Sequence, residues 1–492
     1  MQFVFRKASQ HVPNGYLTKD LGQWQLSHCP ALPVSRIEDN AGNLVGFCLG
    51  RAVNEKGVLL EDAVRLPCVA ATPEFLDHAE RLLLSWAGRF ALILSHCGRP
   101  YAYGDPACSY PLVYNREAKC IASSVLLAIE DELVPTPQYD VSSIVGYDPR
   151  ALYLGSSERG SSSGGFCFDQ TSDARVARLV SNHRLSLETF ETSRIWPRSA
   201  DEIGALGPAE AAKIIAAQLA KVTNALAKTG PVHFALSGGF DSRMLIAAAA
   251  KDGLHENIAL HSHAMNWATS LDAKSATKIG AKLERPVHVV EPPDGRKGSF
   301  RHETEQVRAA LRHDLSTGFC GTLNDHIARG ALEWIPKDSL WMRGNMLELA
   351  TARFWPRPGR IPRPDDIEHA VQRCQISVVT EAQAEARYDQ MQAWAASLPR
   401  CLQSRLHDAS YIENFLPNGQ PALLSVNHVF YVAPACNREV FKACMAVHPV
   451  RRLRQRLYRQ IIRHARPDLL NVPMSREIAA KNRAKKQQRQ IG

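Results

Sequence analysis

Phe234-Ala-Leu-Ser-Gly-Gly-Phe-Asp-Ser-Arg243 decides how the second half of this 492-residue chain is read. The segment leads from an apolar stretch (231–236) into an Ala-rich one (242–251), the setting of a strand, a tight turn and a helix. Gly238 and Gly239 let the backbone curl until successive N–H groups point at one anion. Ser237 and Ser242 add hydroxyl donors, and the helix contributes the positive end of its dipole. Asp241 would repel a phosphate unless a cation lay between them, so it is a natural Mg²⁺ ligand. Neither Gly-x-x-x-x-Gly-Lys-Ser/Thr nor Gly-x-Gly-x-x-Gly is present. A turn that only packs a strand on a helix is the plainer alternative.

Around the loop, Ile215, Leu219, Val222 and Leu226 recur at helical spacing, and Thr229-Gly230 can end that helix. Strands expected at 231–236, 258–262 and 287–290 alternate with helices at 242–251 and 272–283, the pattern of a doubly wound parallel sheet. Upstream, short apolar runs punctuated by Gly, Pro, Asn and Asp (46–49, 90–94, 112–114, 179–187) predict a strand-rich domain with hairpins. The Ser/Gly-dense stretch 155–165 reads as a mobile loop within it. Polar residues 198–207 mark a boundary, giving domains at 1–200 and 201–492. Residues 365–466 lack the alternation and are expected to be helical.

The chain is too long for one hydrophobic core, and 45% hydrophobic with 22% charged residues excludes disorder, collagen and coiled coil. The formal net charge is +10, but residues 451–492 hold thirteen Lys and Arg against two acids, so the body of the protein is close to neutral. A nucleic-acid partner, which calls for a basic surface over the molecule, is therefore not indicated. Met1-Gln-Phe-Val-Phe-Arg-Lys reaches a charge too early for a signal peptide, and the most apolar stretch (82–97) is interrupted by Arg89 and too short for a bilayer. Twelve scattered cysteines without a Cys-x-x-Cys pair argue against a zinc site or disulfide scaffold. The expectation is a soluble, cytoplasmic protein without a membrane partner.

The loop resembles the Ser-Gly-Gly-x-Asp-Ser pyrophosphate loop of PP-loop ATP pyrophosphatases, which cleave between the α and β phosphates. Leu260-His-Ser-His-Ala-Met-Asn-Trp267 and the following residues to Leu283 resemble the second strand and helix of the asparagine synthetase synthase domain. Gly88-Arg-Phe-Ala-Leu92, Gly104-Asp-Pro106, Pro111-Leu-Val-Tyr114, Ala122-Ser-Ser124 and Leu179-Val-Ser-Asn-His183 ending at Trp196-Pro197 resemble, in order, that family's N-terminal glutaminase-like domain. The resemblance implies an α/β chain: an Ntn-hydrolase-like α+β sandwich of class II amidotransferase type, then a doubly wound parallel-sheet PP-loop domain (adenine nucleotide α-hydrolase-like) with a helical C-terminal part. It implies ATP and Mg²⁺ as cofactors. Leu236, Ser237, Gly238, Gly239, Asp241, Ser242, Met265, Arg343 and Gly344 would surround the nucleotide, and Asp241 and Glu348 would hold the metal. His263, beside Met265, is equally well read as a satisfied, half-buried histidine.

The sequence departs from the family in two places. A working glutaminase uses an N-terminal cysteine whose own α-amino group is the base. Here Gln2 follows Met1, Cys29 lies inside the chain, and an Asn-Gly-Glu glutamine-binding segment is missing. The N-terminal domain is thus expected not to hydrolyse glutamine, as in the β-lactam synthetases and lasso-peptide cyclases, which activate a carboxylate and use a substrate amine or free ammonia. The family's Ser-Gly-x-Gly-x-Asp-Glu segment is matched by Trp341-Met-Arg-Gly-Asn-Met-Leu-Glu-Leu349; Gly344 and Glu348 are kept, while Leu347 falls where the second metal aspartate is expected. Glu348 is either a replacement ligand or a solvated helix residue, and Arg343 can supply charge to a phosphate directly.

Pro473-Met-Ser-Arg476 resembles the segment before the family's late lysine, which makes Lys481 a catalytic candidate beside Glu348, with Arg476 second and a solvated charge run as the alternative. The implied activity is AMP-forming amide ligation: a small-molecule or peptide carboxylate is adenylated, the loop holds the leaving pyrophosphate, and ammonia or another amine donor captures the acyl group. A PP-loop tRNA-modifying enzyme and a catalytically inactive scaffold are the competing readings; a homodimer is compatible with each. Ser410-Tyr-Ile-Glu-Asn-Phe-Leu-Pro417 offers Tyr411 and Glu413 as a proton-transfer pair or, more plainly, a packed helix-to-loop junction.

Overall fold

The structure, a computed structural model, describes residues 1–8, 12–132, 134, 136, 168–171, 173–198, 203–291, 334–356, 366–373, 381–419 and 429–491. The stretch 155–165 read as a mobile loop lies outside them. The fold is mixed α/β, with two largely antiparallel sheets and one parallel sheet. It divides into two compact units. One holds the described residues of Met1–Gly204 and Phe354–Asn427; the other holds those of Ala205–Arg308, Asn324–Arg353 and His428–Gly492. A division near residue 200 is thus present, but the helical residues 366–419, expected in the second domain, belong to the first unit.

In the first unit the period-2 runs form a six-stranded sheet built around Phe3–Lys7 and Trp24–His28, and a seven-stranded sheet built around Leu44–Val53 and Ala87–His96. The last two strands pair over eight registered positions. They approach so closely that a Cβ on Gly46 would lie 2.0 Å from the Ile93 carbonyl oxygen. The amphipathic helix Phe75–Ser85 packs Phe75, Ala79 and Leu83 against Phe90, Leu92 and Leu94 of this sheet.

In the second unit five parallel strands lie in the order Val287–Val290, Ile258–His263, Val232–Ala235, Leu340–Met342, Phe430–Val432. The chain enters at the centre, builds out to one edge, then returns to build the other. The strand order therefore reverses between Val232–Ala235 and Leu340–Met342, where open α/β sheets bind ligands. Two of the five strands escape the sequence reading, because three residues cannot display a period of two and Phe430–Val432 falls in a region expected to be helical. The helix expected from residue 272 begins at Trp267, because Asn266 and Thr269 form a capping box: the Asn266 side chain accepts the Thr269 N–H, and Thr269 Oγ1 accepts the Asn266 N–H. Phe240–Ala249, the helix after the loop, is Ala-rich and buried almost throughout, which lets the helices Pro208–Ala227 and Arg456–Ala465 pack closely on it.

Candidate functional site

A cleft of about 300 Å³ opens at the C-terminal ends of the parallel strands, and the quoted loop forms one wall. The loop holds its shape with its own polar groups: the Ser237 N–H donates to Ser242 Oγ (3.1 Å), the two hydroxyls lie 2.9 Å apart, and the Gly239 N–H donates to Ser237 Oγ (3.2 Å). The Gly238 N–H donates to Asp272 Oδ1 (3.1 Å), which also accepts from the Ser475 hydroxyl. A carboxylate oxygen thus stands where the loop's donors would meet a phosphate oxygen. Both turns need glycine for space. A Cβ on Gly238 would lie 1.8 Å from Ser475 Oγ and 2.8 Å from Ser275 Cβ, and one on Gly344 would lie 2.6 Å from the Ser242 nitrogen and from the Asp241 carbonyl carbon. Gly344 therefore lets the opposite wall press on the start of the loop helix.

The lining carries Asp241, Asp272 and Glu348 against Arg343 and Arg353. Burial first, and then the charge of Glu348, pushes the Asp241 carboxyl well above the usual carboxylate range, with Arg353 pulling the other way. Two carboxylates that repel each other beside a set of anion donors fit one hard divalent cation. Among the described residues no group of three or more His, Cys, Asp and Glu could hold a metal ion by itself. Phosphate oxygens and water would complete the shell, as Mg²⁺ ordinarily requires.

Leu236, Ser237, Asp241, Ser242, Arg343, Gly344 and Glu348 all border the cleft, and Gly238 and Gly239 form the loop itself. Leu347 is fully buried and faces away, while Glu348 is half-buried in the lining, so Glu348 is not a freely solvated helix residue. Two expected residues are elsewhere. Met265 is fully buried in a cluster with Val290 and Trp334 and is not in the cleft lining. Lys481 is exposed on the helix Ser475–Ile491 and is likewise outside the lining, and Arg476 lies over the Phe240 ring at 5.0 Å. The segment before them is nonetheless tied to the loop helix. Buried Arg243 donates to the Leu469, Val472 and Pro473 carbonyls, and Ser275 Oγ donates to Pro473 O at 2.8 Å.

Sequence reading missed Asp272, Ser475 and Arg353, whose roles depend on chain crossings, and a row of histidines. His233, His261 and His263 share one face of the sheet with His288, and Trp334 packs against three of these rings at 4.5–5.3 Å. Burial, and then the Arg343 charge, lowers the His263 imidazole to about 3. His261 is lowered well below its usual value by burial and then by His263, His233, Arg343 and His288. Both are neutral near pH 7.

In the first unit, the proposed Tyr411–Glu413 proton-transfer pair is replaced by a structural network. Glu413 is fully buried and accepts from both Arg194 Nη atoms, Asn182 Nδ2 and Trp394 Nε1, an arrangement for a fixed carboxylate. The Cys29 sulfur, half-buried, accepts the Gln2 N–H at 3.2 Å. No helix among the described residues is long and apolar enough to cross a membrane. Comparison with protein-family models and with curated proteins found no match.

Proposed function

We propose that the protein is an AMP-forming carbon–nitrogen ligase of asparagine synthetase type, which adenylates a small-molecule or peptide carboxylate with Mg-ATP and passes the acyl group to ammonia or an amine. The observation that carries this reading is the meeting of the loop 237–242 with Arg343, Gly344 and Glu348 at the point where the strand order of a parallel sheet reverses. The backbone of the second wall supports it. Met346 has φ 74°, the left-handed conformation that glycine adopts most easily, and the family segment Ser-Gly-x-Gly-x-Asp-Glu has its second glycine there. Counted from Gly344, Glu348 then takes the aspartate position and Leu349, not Leu347, the place of the last acid. On this register Glu348 would be the second carboxylate of the metal pair. The two antiparallel-rich sheets of the first unit support its reading as a glutaminase-like, Ntn-type domain.

When bound, Mg-ATP supplies the electrophilic α-phosphorus and the leaving pyrophosphate. The protein's part is placement and charge. Ser237, Ser242 and the Gly238 and Gly239 amides would cradle the pyrophosphate once Asp272 gives up the Gly238 N–H and Ser237 Oγ the Gly239 N–H. Asp241 and Glu348 would hold the cation, and Arg353 would balance the phosphate charge.

The test is exchange of labelled pyrophosphate into ATP across a panel of carboxylates. Exchange with one or more acids, abolished in Asp241→Asn, is the expected result; absence of both exchange and Mg-ATP binding would refute the reading.

A further inference from the structure

One face of the parallel sheet holds buried polar groups that the protein does not pair. By register His233 lies beside Trp341, and His261 lies between Ala235 and His288. Arg343 follows Trp341 by two residues and so returns to the same face, one step past the last registered pair, Phe234 with Met342. Trp341 and His261 are 1% and 0% exposed, yet both border the cleft. The indole N–H of Trp341, both ring nitrogens of His261 and Nη1 of Arg343 have no hydrogen-bond partner. Buried polar groups are nearly always paired, and one left unmatched is costly. Four such atoms gathered at one end of a sheet mark a place that something polar fills. Ala235, between His261 and Arg343, presents only a methyl group and keeps that place open.

The chemistry of these groups selects the occupant. The indole and the guanidinium only donate, and a neutral imidazole donates from one nitrogen and accepts at the other. The set is rich in donors and poor in acceptors, so it suits an oxygen-bearing anion. It carries one cationic group, Arg343, whose carbon lies 5.1 Å from the Trp341 ring centre. One guanidinium balances a monoanion; a phosphate dianion is better served by the loop amides and the cation at Asp241 and Glu348.

We infer that Trp341, His261 and Arg343 form a second anion subsite in the cleft, separate from the pyrophosphate loop, and that it binds a carboxylate. Resting on the ligase reading above, that carboxylate is the acyl donor's, held beside the nucleotide with its charge matched by Arg343.

The experiment uses the full chain with ¹⁵N-labelled indoles, titrated with acetate and benzoate and, at equal ionic strength, with chloride and inorganic phosphate. The Trp341 signal is assigned from Trp341→Phe. The expected result is a saturable shift of the Trp341 N–H with the carboxylates alone. Arg343→Gln weakens it about tenfold or more, Arg343→Lys restores part of it, and the remaining indole signals stay in place as the check on folding. A response to phosphate as strong as that to carboxylate hands the subsite to the nucleotide and overturns the inference. No response, or one matched by chloride, makes it a water-filled pocket and overturns it equally. Mg-ATP binding in the same samples separates the two claims. ATP binding without a carboxylate response rejects the subsite alone, whereas a carboxylate response without ATP binding supports the subsite's chemistry and rejects the ligase reading.

Discussion

The two units each contain a cleft edged with arginine, and they treat it in opposite ways. The cleft of the first unit, about 570 Å³, is lined by Glu80, Arg184, Arg194 and Arg198. Every one of these guanidinium groups is committed. Arg184 and Arg198 pair with buried Glu80, which Tyr103 also hydrogen-bonds, and Arg194 forks onto Glu413 with one contact at 2.9 Å. Buried Asp105 is wrapped in the same manner by the Phe90, Ala107, Ser109 and Tyr110 amides and the Ser109 hydroxyl. In the cleft of the second unit, Arg343 Nη1, the Trp341 indole and His261 are left open, and the Glu348 charge adds to burial in disfavouring the Asp241 carboxylate. A buried charge whose partners are all internal holds a fold; buried polar groups that point at one another or at nothing are arranged for a ligand.

The sharpest way to break this contrast is to remove a partner in the first unit. Arg194→Ala leaves Glu413 buried without its cation, and the first unit is expected to lose about 3–5 kcal/mol in denaturant unfolding while Mg-ATP binding in the second unit persists. The pH dependence carries the same sign. Burial raises the Glu413 pKa, but the hydrogen bonds and charge of Arg194, with His183 and Asn182, outweigh it and hold the carboxyl below its ordinary value. Its contribution is therefore complete above about pH 4.3, the unfolded value, and is lost as pH falls through the lower folded value. Unfolding curves in which Arg194→Ala costs as much at pH 3 as at pH 7 would contradict this.

Next in size, Gly344→Ala forces a methyl group against the Asp241–Ser242 backbone. Overpacking of about 1–3 kcal/mol should appear as a tenfold to hundredfold loss of nucleotide affinity by calorimetry, whereas Gly207→Ala, outside the cleft and with open space for a Cβ, leaves affinity unchanged. Asp241→Asn is expected to raise the Tm of the metal-free protein by about 2–4 °C, because it removes a carboxylate whose charged form is disfavoured above its unfolded pKa. The same variant should no longer gain stability when Mg²⁺ and ATP are added; equal ligand-induced shifts in variant and parent would undo the metal assignment. The smallest effect is expected at Lys481, exposed and outside the lining: Lys481→Ala should change stability by less than about 0.5 kcal/mol and leave ATP affinity almost intact.

The loop and the parallel sheet around it were legible because they are local. Two glycines between an apolar run and an Ala-rich one describe a turn that only a strand–helix junction explains, and helical periodicity at Ile215–Leu226 is visible within one segment. Asp272 and Ser475 were not legible, since Asp272 meets the loop across 34 residues of chain and Ser475 meets Asp272 across 203. The row of His261, Trp341 and Arg343 exists only once the strands are in register, and Leu340–Met342, which carries Trp341, is too short to announce itself. Glu413 could be read two ways because sequence names a carboxylate but not the arginine that fixes it. Met265 illustrates the opposite error: a family position carried a side chain into the cleft, and packing against Val290 and Trp334 took it out.

The central claim, that the cleft of the second unit is an Mg²⁺-dependent ATP site built on the loop 237–242, is tested most directly by calorimetric titration of the whole chain with ATP. One ATP should bind per chain with Mg²⁺ present, and binding should disappear when Mg²⁺ is chelated or Asp241 is replaced by Asn. No binding of Mg-ATP by the parent protein, or equal binding by Asp241→Asn, would contradict it.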